Sequence, residues 1–351
     1  MTDERQHIGV IGAGAVGCYV GGRLAANAAA DVTLVGRQWL ADAVLEHGMT
    51  LRELDQDELL AAEDIRFVVD PREVASCDVV LCCVKSGATA STAAQLAGIL
   101  RPAAIVVSLQ NGLRNGETLR AHLPQNHVVD AIVGFNVIMR DHAVLQRTTS
   151  GPLTVETKNG AQHQLWVNAL RAAGLEVVEV DAIEPEQWTK LLVNLNNAIN
   201  ALAGVPTREM ILSRQYRKVI AMLLDEGLDV LDEAGVRPAK FRGVPLRVMS
   251  FILKLPTPLV RLVIAAQLRM DPDARTSMAQ DLERRRLTEV DFLNGEIVNL
   301  AESNSRDAPL NRRIVELIHE AERAGAGSPR FDAETLLQRL RPQNSPAAID
   351  G

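Results

Sequence analysis

The 351-residue chain has no excess of basic charge: 37 Lys and Arg stand against 44 Asp and Glu, a formal net charge of −7. Nucleic-acid binding needs clustered Lys and Arg to neutralise phosphates, so no such partner is expected. Long apolar runs are missing too. The best stretch, residues 244–270, is interrupted by Arg247, Lys254, Pro256, Pro258 and Arg261, whereas a membrane-spanning helix needs about 20 mostly apolar residues. It reads instead as buried or interface helices, which allows a homodimer. The opening MTDERQ leads straight into HIGVIG without the apolar stretch and cleavage site of a leader. Cysteine is scarce. Cys18, Cys77, Cys82 and Cys83 lie in the first quarter of the chain, with no CxxC pair and no Cys/His ligand spacing. They read as small buried thiols rather than a metal site. This usage suits a reducing compartment, so a cytoplasmic location is expected.

What the chain does have is apolar residues, 47% of the total, spread over a length that suits two domains. Short apolar runs at 8–12, 31–35, 78–84 and 104–109 alternate with helical patterns at 16–27 and 87–100. The runs at 78–84 and 104–109 are unbroken, as expected of strands covered on both faces, and the alternation predicts βαβ units and a parallel sheet. Residues 127–139, 153–156 and 175–180 extend the β-rich part. After Asp181 the pattern turns helical, at 186–202, 217–234, 275–303 and 311–324. The boundary is therefore expected near 183, giving an α/β domain over 1–183 and an all-helical domain over 184–340. A polar, Pro-containing tail over 341–351 is expected to be disordered.

Gly12-Ala13-Gly14-Ala15-Val16-Gly17 follows the first strand and opens the first helix. In that context the first glycine permits a tight turn, the second lets backbone approach a pyrophosphate, and the third lets helix and strand pack closely. Backbone N–H groups and the helix dipole then face the phosphates. The pattern predicts a dinucleotide site. The second strand ends Val35-Gly36-Arg37, with no carboxylate until Asp42. A carboxylate there would hold a ribose 2′-hydroxyl, whereas Arg37 suits a 2′-phosphate and favours NADP(H). The alternative is a solvated residue at a helix start. Lys85 and Asn111 follow the two apolar strands, at the edge where such sheets bind ligands. Lys85 suits a phosphate, ribose or substrate. Asn111 suits the nicotinamide side, although Asn-Gly is also an ordinary turn.

In the helix predicted from 186, Lys190, Asn194 and Asn197 are spaced i, i+4, i+7 and share one face. Leu191, Leu192, Leu195 and Ile199 surround them. A cation and amides in an apolar helix should meet a ligand or another polar surface. Further on come Ser277 and the run Thr288-Glu289-Val290-Asp291, then Asn294-Gly295. On one straight helix Ser277 and Glu289 would lie roughly 18 Å apart, and they could flank one site only if the helix kinks or lines a cleft.

Taken together, these residues resemble the ketopantoate reductase (2-dehydropantoate 2-reductase) family over nearly the whole chain. The glycine turn, Arg37, Lys85 in VKS and Asn111 in QNG match its cofactor side. Trp188 through Asn194 looks like its catalytic-helix motif, and Ser277 with Thr288–Asp291 and Asn294-Gly295 looks like its late motif. The resemblance implies a Rossmann-type domain plus an all-helical domain, an arrangement like that of 6-phosphogluconate dehydrogenase. It also implies NADPH-dependent reduction of ketopantoate to pantoate, a step of pantothenate biosynthesis. Lys190 would be the general acid and Glu289 would pair with it and orient substrate or cofactor. Asn194, Ser277 and Asn111 would hold the substrate. Ala198 stands where the family places a second substrate asparagine, eight residues after the lysine. Asn197 is the substitute expected from its helix face. Residues 241–273 look longer than the family norm.

Overall fold

The computed structural model describes residues 5–53, 56–141, 143–157, 160–263 and 274–340. The tail expected over 341–351 and residues 264–273 of the long segment lie outside the described residues. The chain divides into two compact units, Met1–Glu184 and Pro185–Gly351.

Among its described residues the first unit has twelve strands: β1 (His7–Ile11), β2 (Asp31–Val35), β3 (Met49–Arg52), β4 (Asp57–Leu60), β5 (Arg66–Val68), β6 (Val79–Cys82), β7 (Ile105–Ser108), β8 (His127–Val133), β9 (Val137–Arg140), β10 (Val144–Arg147), β11 (Leu153–Glu156) and β12 (Val177–Val180). Eight form one sheet in the order β12-β11-β8-β7-β6-β1-β2-β5. Its six strands from β8 to β5 are parallel, and β11 pairs antiparallel with β8. β6 and β7 are buried at every position, as unbroken apolar strands between two helical layers should be. The β-rich stretch expected over 127–139 holds two strands, because the chain leaves β8 at Val133 and joins a second sheet at β9.

Of that second sheet, β4-β3-β10-β9, only β9 overlaps a stretch the sequence marks as β-rich. It packs on the helix Ala15–Ala26, where a side chain at Gly22 would press on Leu51 and Met49. The opposite glycine, Gly21, faces Leu34 of the large sheet. One helix thus serves two sheets because adjacent glycines remove bulk on both sides.

The second unit is helical. It begins with the helix Glu184–Asn194 and continues through Asn196–Ala203, Thr207–Leu212, Arg214–Glu233, Leu246–Lys254, Thr257–Val263, Ser277–Glu283, Asn294–Ser303, Pro309–Ala324 and Ala333–Leu340. Two expected long helices are broken. The one predicted over 186–202 is interrupted at Leu195. The one predicted over 275–303 ends at Glu283, where Arg285 takes a left-handed conformation at φ 54°. There the Arg286 N–H reaches back to Asp281 O and the Arg285 N–H to Leu282 O, a terminating pattern that normally uses glycine.

Buried Arg217 fastens the segment beyond Glu233. Its guanidinium donates to the carbonyls of Ile211, Leu212, Leu253 and Leu255 and to Thr257 Oγ1, at 3.0–3.2 Å. The burial expected for 244–270 is only partly seen. Leu246 and Val260 are buried, but Val248, Phe251, Leu259 and Leu262 are exposed. No described helix is long and apolar enough to cross a membrane.

Candidate active site

At the glycine turn, Gly12 takes φ +82°, and a Cβ there would lie 2.6 Å from Val84 N. A Cβ at Gly17 would lie 2.9 Å from Gly12 O. Both glycines are therefore forced by close approach of backbone. Gly14 differs. It is exposed, and a Cβ would meet nothing closer than Gly12 O at 3.8 Å. The space beside it is what a phosphate against the helix N-terminus requires. The Gly12 and Ala13 N–H groups both point to Val35 O, which ties the turn to the end of β2. Ala13 is buried there, while Ala15 and Val16 open the helix half-buried.

Arg37 sits exposed at the start of the helix Gln38–His47. Its backbone carbonyl accepts from Leu40 and Ala41 N–H, and no carboxylate of the described residues pairs with its guanidinium. Lys85 and Asn111 follow the neighbouring strands β6 and β7. Lys85 is exposed and Asn111 half-buried. Beneath them lies a buried polar network that sequence reading missed, in which the Asn115 amide meets Thr89, Ser86 and the Asn111 carbonyl.

The cysteines of this unit are all unpaired with one another. Burial pushes the thiols of Cys18, Cys77, Cys82 and Cys83 well up. They are unsuited to nucleophilic work.

In the second unit, the helix Glu184–Asn194 is pinned where Thr189 Oγ1 contacts the Pro185 and Ala239 carbonyls at 2.9 and 2.8 Å. Trp188, Leu191 and Leu192 are buried and leave Lys190 half-buried beside them. The ammonium is held down to about 8 by burial, while the Glu289 carboxylate acts in the opposite sense. The structure thus brings Lys190 and Glu289 into electrostatic contact. It does so because the helix predicted between Ser277 and Glu289 ends early, which lets the chain turn back through the short helical turn Val290–Phe292. The residues flanking Glu289 are tied to the helix Pro309–Ala324: the Thr288 N–H donates to Glu322 at 2.7 Å, and His319 Nε2 lies 3.1 Å from Asp291.

Asn194 is half-buried at the end of its helix. Asn197 lies past the interruption at Leu195, whose backbone stays in the right-handed helical region at φ −55° and ψ −26°. Its side chain is buried, as is Ala198. Ser277 is exposed at the first position of its helix. It is placed by a residue that spacing could not reveal, buried Asn200, whose Oδ1 accepts from the Thr276 N–H at 3.0 Å and Thr276 Oγ1 at 3.1 Å.

Comparison with known proteins follows the same division. A family model described as ketopantoate reductase PanE/ApbA matches residues 8–160, and the model of that family's C-terminal part matches 182–322. The 2-dehydropantoate 2-reductase of Halobacterium salinarum is 30% identical over 321 residues, 90% of this chain and 99% of the relative. The crystal structure of a PanE/ApbA family ketopantoate reductase from Ralstonia eutropha JMP134 matches with a TM-score of 0.77 at 30% identity, covering 91% of this chain and 99% of that one. The ternary structure of D-mandelate dehydrogenase with NADH and anilino(oxo)acetate gives a TM-score of 0.74 at 17% identity, covering 91% and 99%, a likeness of fold.

Proposed function

Since the chain belongs to the ketopantoate reductase family, we propose that it is an NADPH-dependent 2-dehydropantoate 2-reductase, reducing the ketone of ketopantoate to the alcohol of pantoate. The observation that carries the reading is the half-buried Lys190 beside Glu289, on a helix that matches the family's catalytic motif.

The residues present fit the cofactor. The open space at Gly14, framed by the backbone of Gly12 through Gly17, takes the pyrophosphate. Arg37 takes the 2′-phosphate as a charge-assisted fork, and Lys85 adds a second cation. When bound, NADPH supplies the hydride that becomes the new C–H bond at the ketone carbon. Lys190 donates a hydrogen bond from Nζ to the carbonyl oxygen and gives up a proton as that oxygen takes on negative charge. Glu289 keeps Lys190 in the ammonium form and orients the bound partner. Ser277 holds the substrate carboxylate, Asn194 its hydroxyl end with Asn197 beside it, and Asn111 positions the keto group against the nicotinamide.

The test is a keto-acid panel read by NADPH absorbance. Ketopantoate should give the highest kcat/KM, and Lys190→Ala should abolish turnover with NADPH binding intact. Full turnover by that variant would remove the assigned acid. Ala198 favours one other reading, reduction of a different bulky α-keto acid or imine, because it removes an amide the family uses. A higher kcat/KM for another member of the panel would establish that reading instead. The exposed apolar residues Val248, Phe251, Leu259 and Leu262 support a homodimer.

A further inference from the structure

We infer that Asn115 is a positioning residue that locks the loop carrying Lys85 and the loop carrying Asn111 into one piece. The inference rests on the roles proposed for those two side chains. The loops leave the parallel neighbours β6 and β7, and loops at such an edge move unless tied down. Asn115 ties them. It opens the helix Asn115–His122 and is 6% exposed. An asparagine at a helix start commonly caps that helix. Here the side chain turns into the loops instead.

The hydrogen bonds around Asn115 run in one consistent direction. Gln110 Nε2 donates to Val84 O at 2.9 Å and to Thr89 Oγ1 at 2.7 Å. Thr89 Oγ1 donates to Asn115 Oδ1 at 2.8 Å. Asn115 Nδ2 donates to Ser86 Oγ at 3.2 Å and to Asn111 O at 2.5 Å. Ser86 Oγ donates to Asn111 O at 2.6 Å. Asn115 must accept on one side and donate twice on the other, which only an amide can do. A carboxylate of the same shape would face Ser86 and the Asn111 carbonyl with no hydrogen to give. The amide is itself held in place, because Gly116 seats the helix start against β8. A Cβ there would collide with the buried carboxylate of Asp130, which Arg120 of the same helix holds at 2.7 Å.

The test uses the full chain, with NADPH affinity read by nucleotide fluorescence, turnover by NADPH oxidation with ketopantoate, and folding by thermal melting. Asn115→Ala should raise the NADPH Kd at least fivefold and lower kcat at least tenfold. Asn115→Asp should do the same despite its matching shape. The effects should collapse when the residues acted through are already gone. In a Lys85→Ala background, Asn115→Ala should change Kd less than twofold. In an Asn111→Ala background it should change kcat less than twofold. Full additivity in both backgrounds would make Asn115 a merely structural residue and overturn the inference, as would unchanged Kd and kcat in a folded Asn115→Ala chain. If Asn115→Ala does not fold, Ser86→Ala, which removes one hydroxyl of the same cluster, goes through the same two cycles and decides the matter. A parent that binds NADPH but reduces no keto acid sinks the proposed reaction alone, and the Kd cycle with Lys85 still judges Asn115. A parent that does not bind NADPH sinks both.

Discussion

Lysine ordinarily titrates near 10.5, and burial brings Lys190 to about 8. A reaction that needs its ammonium is fully supplied below that value and loses its acid as pH rises through it. The kcat profile at saturating NADPH and keto acid should therefore fall above about pH 8. Glu289→Gln removes the charge that holds the ammonium up, so the same limb should move to lower pH. A limb that does not move would separate the two residues. The same shift affects stability. Between about 8 and 10.5 the unfolded chain binds a proton that the folded chain does not, so stability rises with pH across that window. Below it the buried charge costs stability in full. Lys190→Met should thus abolish turnover yet stabilise the fold at pH 7 by about 1–3 kcal/mol, after allowance for the solvent that reaches this half-buried group. Denaturant titration would measure it. Arg37 is a simpler case. A charge-assisted fork is worth about 1.5–3 kcal/mol, so Arg37→Ala should raise the KM for NADPH roughly tenfold or more and leave that for NADH almost unchanged. Equal effects on both would return Arg37 to an ordinary exposed helix-start residue.

At the scale of elements, the sequence was most legible where one rule dominates. The strand–turn–helix around Gly12 was readable because positive φ and backbone contact each demand glycine. The buried strands β6 and β7 were readable because both faces are apolar. The small sheet was not. Four-residue strands such as Asp57–Leu60 place only two side chains on a face, too few to establish a period. The break at Leu195 carries no glycine or proline, and the one after Glu283 uses an arginine at φ 54°. Neither leaves a local signal. The candidate site divides the same way. Lys190 and Asn194 share one turn of helix and could be paired by counting. Asn115 meets Thr89 and Ser86, Asn200 meets Thr276 and Glu289 meets Lys190 from far away in sequence, and spacing cannot find those partners. Arg217 belongs to this class. It is 0% exposed and satisfies four carbonyls at three helix ends and starts. Arg217→Met should cost about 3–5 kcal/mol, since it leaves buried acceptors without donors. Arg217→Lys should rescue little, because one compact ammonium cannot reproduce the planar fork. Urea midpoints for the three chains would show whether the order holds.

For the whole molecule, the break at Glu184 separates a unit whose strands and turns suit a nucleotide from one whose helices carry the proposed acid. The outward side of the helices Leu246–Lys254 and Thr257–Val263 leaves Phe251 at 63% and Leu262 at 79% exposure. Exposed large apolar groups are what the proposed dimer would cover. Light scattering should give twice the chain mass, and Phe251→Glu with Leu262→Glu should return it to a monomer that keeps its helical circular-dichroism signal and melts lower than the dimer. A parent that scatters as a monomer at high concentration would dismiss the dimer. The way these helices are mounted has a consequence of its own. Arg217 grips main-chain oxygens, which every amino acid supplies, and asks almost nothing of the side chains pointing outward. The anchoring is indifferent to the identity of what it anchors. The outward residues can therefore be exchanged wholesale while the fold beneath stays as it was.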